Sequence, residues 1–183
     1  NCIEKFNDFA IISPTFFNEK IYKNYSIFSK KKNLTDPASI EYGIREVDRV
    51  DGAAFLINKF IIEKIGYMDE NFFFYFEQED LCLRLNKNNQ KIYICDKIKF
   101  SHKGLGSSHS SKIPKVKILR NWHYSWGKFY FYKKHYGYLI GLKKTWPNFV
   151  RAIKYIVLSV VKNKPEQLRM HTAELKGLIN SYL

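Results

Sequence analysis

Apolar and polar positions follow one period in the first part of the chain and another in the second. Up to about residue 100, apolar residues come in short runs bounded by turn formers, as buried strands do. Phe9–Ile12 reads as such a strand, closed by Ser13-Pro14. Residues 15–44 are polar, aromatic and irregular, with Lys30-Lys31-Lys32 and Asp36-Pro37 marking an exposed loop. Glu46–Val50 alternates as a strand, Asp51-Gly52 breaks it, and Ala53–Ile57 resumes as a buried strand or short turn. Phe60–Ile65 spans one or two helical turns stopped by Gly66. Glu79–Asn88 is a helix with Leu81, Cys82 and Leu85 facing inward and Asp80 placed to pair with Arg84. Lys91–Cys95 and Ile98–His102 read as two strands joined by Asp96-Lys97, and a Gly/Ser-rich loop, Gly104–Ser111, follows.

From Pro114 onward the period is helical. Val116–Tyr136 forms a helix ended by Gly137, a short one reaches Lys144, Pro147 starts a third through Val161, and Pro165 starts a fourth. The third carries Ile153, Ile156, Val157, Leu158, Val160 and Val161 beside Arg151, Lys154 and Lys162. This apolar run falls short of the ~20 residues a membrane span needs. It fits an interfacial helix or a core helix equally.

Charge sharpens that division. The net charge is +14, and it is unevenly placed. Residues 1–111 hold 16 Lys and Arg against 15 Asp and Glu, whereas residues 112–183 hold 15 against 2. Such a block faces a polyanion, either nucleic acid or an anionic membrane. The expected domains are therefore 1–111, an α/β unit, and 112–183, a basic helical extension. Aromatics at 17% and apolar residues at 45% exclude a disordered chain. Cys2, Cys82 and Cys95 are odd in number and widely spaced, which argues against a disulfide framework or zinc site and for a reducing cytoplasm. The first residue is Asn and the chain opens directly into a strand, so it reads as a piece of a longer protein.

The candidate chemistry sits where the aromatic run Phe72–Phe76 ends in Glu77, Glu79 and Asp80. Carboxylates set against aromatic surface lose solvation, and their pKa values rise toward the working range of a general base. A run of rings is also ordinary core, and acidic residues at a helix start are favoured by its dipole. His102 supplies a nearby candidate partner; the other histidines are assigned no chemistry. Gly104–Ser111 lacks the Gly-Lys-Ser/Thr ending of a phosphate cradle and reads as a mobile loop.

Four strings in fixed order carry a resemblance: Val50–Ile57, Ile65–Phe73, Tyr75–Arg84 and Phe100–Ser108. Together they resemble the second half of bacterial family 2 glycosyltransferases, above all the rhamnosyltransferase-like group, over about residues 8–111. Phe131–Gly137 is similar to the tails of the same group. The resemblance implies an incomplete GT-A fold, a nucleotide-sugar donor, and transfer of rhamnose or another hexose, with inversion, to a cell-envelope glycan. It implies Glu77, Glu79 or Asp80 as the catalytic base. It places Asp51, Gly52, Gln78 and Arg84 at the substrates. It gives His102 to a divalent metal, Mn²⁺ or Mg²⁺. The usual motif is Glu-Asp-x-Asp-Leu, and aligning on Asp80-Leu81 puts Gln78 where the base Asp stands. Glutamine accepts no proton at neutral pH. Glu77, beside the rings, is then favoured as base, with Asp80 orienting Arg84 or binding the acceptor.

The family's metal-binding Asp-x-Asp is absent. The resemblance places it upstream of Asn1, so these 183 residues alone are expected to be inactive. The basic tail is expected to hold the enzyme on the inner face of the plasma membrane, near a glycan or lipid-linked glycan acceptor. A nucleic-acid-binding module is the competing reading of the same tail; no zinc knuckle, RNP-type strand or helix-turn-helix pattern supports it.

Overall fold

The computed structural model describes residues 9–18, 20–21, 25–26, 37–101 and 113–183. The chain forms two compact units, Asn1–Asp69 with Gln78–Gly104, and Glu70–Glu77 with Leu105–Leu183.

The first unit is mixed α/β. Strand β1 (Ile11–Asn18) pairs with β2 (Lys20–Ile21), with β6 (Leu56–Ile57), and in parallel with β7 (Ile92–Ser101), which also pairs antiparallel with β4 (Ile44–Val47). A second ladder joins β3 (Tyr25–Ser26) to β5 (Arg49–Val50). Among the described residues, helices α1 (Pro37–Tyr42), α2 (Lys59–Ile65) and α3 (Glu77–Lys87) accompany the strands. Alternation along β7 serves both faces of the sheet. Ile92 and Ile94 join Ile11, Val47, Ile62, Leu81 and Leu85, whereas Tyr93 and Cys95 join Phe9, Ile12 and Ile44.

Three expectations change here. Ser13-Pro14 does not close β1; the strand runs on to Asn18. The ladder absorbs the proline, which has no N–H to donate, by a register jump from Pro14↔Cys95 to Thr15↔Lys99. The two strands expected on either side of Asp96-Lys97 are one strand, and Asp96-Lys97-Ile98 stand in that jump. Asp96 there receives Arg45 Nε at 2.6 Å and Arg45 Nη2 at 2.8 Å. Finally, Leu56 and Ile57 are exposed rather than buried, because only two residues pair with β1.

Helix α2 shows how local chemistry sets its ends. The Asn58 side chain accepts from Phe60 N–H at 3.2 Å, and Gly66, at φ 93°, returns its N–H to the Ile62 carbonyl at 2.8 Å.

Among its described residues, the second unit is a bundle of three helices, α4 (Ile113–Tyr136), α5 (Tyr138–Val161) and α6 (Pro165–Tyr182). Small residues let the helices approach closely. A Cβ on Gly177 would stand 2.4 Å from the Trp122 carbonyl oxygen, and one on Gly141 would stand 2.8 Å from Phe129 Cε2. Pro147 starts no new helix: α5 is continuous through it. The residue is exposed, and packing of α5 on α4 and α6 outweighs the hydrogen bond the proline deletes. On α6, Glu174 accepts from Arg151 and lies 3.3 Å from His171 Nδ1, an i,i+3 pair overlooked when His171 is given no chemistry.

The aromatic run belongs to this second unit, not to the α/β unit. Phe72 meets Tyr130 at 5.0 Å, Phe76 meets Tyr124 at 5.3 Å and Phe131 at 5.6 Å, and Phe73 meets His123 at 4.9 Å. Burial there pulls the His123 pKa below its ordinary value.

Candidate active site

Helix α3 carries every acidic candidate in its first turn. The backbone enters it under strain: Tyr75 and Phe76 have φ values of 68° and 72°, left-handed conformations that L-residues with large side chains rarely adopt. Contacts with α4 hold them there. Arg120 donates to the Tyr75 hydroxyl and lies over its ring, and a Cβ on Gly127 would stand 3.2 Å from Phe76 Cδ2. Paired left-handed residues of this size accumulate at functional sites, and no sequence pattern announced them.

Glu77 follows directly. It is half-buried, and burial raises its pKa above the ordinary carboxylate value, opposed in part by a backbone hydrogen bond. Its Oε2 is buried, and among the described residues it has no hydrogen-bond partner. The same holds for Gln78 Oε1 and Arg49 Nε. Buried polar atoms left without partners in a folded protein ask for a bound molecule or water to complete them.

Gln78 lies against the Asp51-Gly52 turn: a Cβ on Gly52 would sit 3.4 Å from Gln78 Cδ and Oε1. Glu79 accepts from Arg49 Nη1 at 3.1 Å, and Arg49 Nη2 stands 3.8 Å from Asp51 Oδ1. Arg49 thus bridges helix α3 and the turn. It is a site residue absent from the sequence expectations; its only sequence signal is a cation on the strand just before Asp51. Asp51, Gly52, Gln78 and Glu79 are brought together in this way.

Asp80 and Arg84 are placed differently. Asp80 is fully buried and accepts from Arg84 Nε at 2.8 Å. Arg84 also donates to the carbonyls of Ile65 at 3.1 Å, Gly66 at 2.6 Å and Tyr67 at 2.6 Å. Asp80 is expected as a base, as the residue that orients Arg84, or at the acceptor, and Arg84 at the substrate; here the two side chains pair and tie α3 to the end of α2. The expected i,i+4 pair is present.

His102 lies outside the described residues. Among the described residues no group of three or more His, Cys, Asp or Glu side chains could hold a metal ion.

No family model matches the chain, and no solved structure matches it. Over 107 residues, 55% of its length, the chain is 30% identical to the low-salt glycan biosynthesis hexosyltransferase Agl10 of Haloferax volcanii. The match covers 35% of that protein, so the chain spans about a third of the relative's length.

Proposed function

We propose that this chain is part of a glycosyltransferase that moves a hexose from a nucleotide sugar to a hydroxyl of a glycan acceptor. The 30% identity to a hexosyltransferase is the observation that carries the reading. The half-buried carboxylate of Glu77 at the head of α3, with its Oε2 unpartnered among the described residues, supports a base there. In this reading the acceptor oxygen attacks the anomeric carbon and Glu77 takes its proton. The nucleoside diphosphate leaves with the bonding electrons, and the configuration inverts. A carboxylate with a raised pKa is better matched to a hydroxyl proton near neutral pH than an ordinary one. Gln78 and the Asp51-Gly52 turn contact the sugars, and Arg49 holds Glu79 and the turn in place. Asp80 and Arg84 hold the helix that presents these groups. A family 2 assignment with a GT-A fold, and rhamnose as the sugar, are part of the proposal; the quoted strings support them.

The test is sugar transfer by the complete gene product with a panel of nucleotide hexoses. Glu77→Gln should lower kcat by about 10²–10⁴-fold with little change in KM for the donor, as loss of a general base does. Glu79→Gln should act more weakly, and Asp80→Asn should act through stability. Normal turnover in all three variants would remove the acidic turn from the mechanism.

A further inference from the structure

Helix α5 is built inside out. Its buried positions, Gly141, Thr145, Ala152 and Ser159, are small. Its large apolar residues point outward: Trp146, Val150, Ile153, Val157 and Val160 are 57%, 51%, 43%, 56% and 61% exposed. Their four-three spacing places them in a single stripe along the helix. The helix contains no Asp or Glu, and at ~100° per residue Lys143 and Lys154 fall beside the stripe. Arg151 is committed to Glu174 and is not counted with them. A long apolar stripe in water marks a surface that something covers.

Charge selects the occupant. The stripe could pair with its copy in a second chain, since four-three spacing suits a helix seam. That pairing would press two sets of lysines together, on a segment holding 15 basic and 2 acidic residues. An anionic lipid surface offers hydrocarbon to the stripe and phosphate to the lysines at once. Among the described residues no helix is long and apolar enough to cross a membrane, so the fit is to a helix lying in the interface. We propose that α5 docks on an anionic bilayer. Trp146, Val150, Ile153 and Val157 enter the acyl boundary, and Lys143 and Lys154 meet the headgroup phosphates. This inference stands apart from the sugar-transfer reading.

The experiment is flotation of the 183-residue chain with phosphatidylcholine vesicles, with and without phosphatidylglycerol. Binding is expected only with the anionic lipid. Val150→Asp with Val157→Asp should weaken it about a hundredfold, since two buried aliphatic side chains are lost. Circular dichroism melts should be unchanged, because both positions are exposed. Lys143→Gln with Lys154→Gln should reduce binding and its salt sensitivity while the fold is kept. Three outcomes would overturn the proposal: equal binding by the double-Asp variant, displacement from vesicles by random duplex DNA, or a dimer that the double-Asp change dissolves in a chain that ignores vesicles.

Discussion

Removing Arg84 separates a structural reading of the Asp80–Arg84 pair from a substrate-binding one. In Arg84→Met the aliphatic stem is roughly kept and the guanidinium is lost. Asp80 is then a fully buried carboxylate without the cation 2.8 Å away. Breaking a buried pair from one side costs about 3–5 kcal/mol. Three carbonyl acceptors at the end of α2 lose a charged donor as well. Water can replace the donor at exposed Tyr67 but less readily at Ile65 and Gly66, so the loss belongs in the upper part of that range. A typical domain holds ~5–15 kcal/mol in total, so this is a large fraction of it. Arg84→Lys retains the charge but not the planar fork, and about half the loss is expected. The assay is native-state hydrogen exchange of α3 and β7 amides across a urea series, which reports on the α/β unit by itself. A loss below about 1 kcal/mol in Arg84→Met would refute the reasoning. If that variant also lost sugar transfer while folding normally, Arg84 would return to the substrate.

Glu77→Gln tests the buried carboxylate through stability. Because burial raises the folded-state pKa, the protonated form is favoured. The group's contribution is fully present below its unfolded pKa of about 4 and is lost as pH rises through the raised value. The variant should therefore melt higher than the parent at neutral pH, with the difference closing below about pH 4. Equal melting at both pH values would contradict this. Gly177→Ala drives a methyl against the Trp122 backbone carbonyl, which cannot rotate aside, so thermal melting should show a loss of about 1–3 kcal/mol. Burial pushes the Cys82 thiol up to about 11. Iodoacetamide labelling read by peptide mass should leave Cys82 unmodified in the native protein at mildly alkaline pH and modify it fully in urea.

What the sequence alone determined is local. Gly66 announces the end of α2, and Leu81, Cys82 and Leu85 announce the inward face of α3. Gly137 and Pro165 announce helix boundaries in the basic half. Caps, turns and periodic faces depend on residues a few positions apart, so they can be read directly. What only the tertiary structure decided is partnership. Phe72–Phe76 reads as a wall for the acidic turn, yet its rings meet Tyr124, Tyr130 and Phe131, more than forty positions away. Left-handed Tyr75 and Phe76 follow from that docking, because no local preference of a large L-residue selects such a backbone. Pro147 reads as a helix start but sits inside α5, since contacts with two neighbouring helices outweigh one missing hydrogen bond. The apolar run of α5 fits an inward or an outward face equally well until the inward side is seen to hold glycine, threonine, alanine and serine. A periodic pattern shows that a helix has two faces; the volume left between neighbouring helices decides which one is buried.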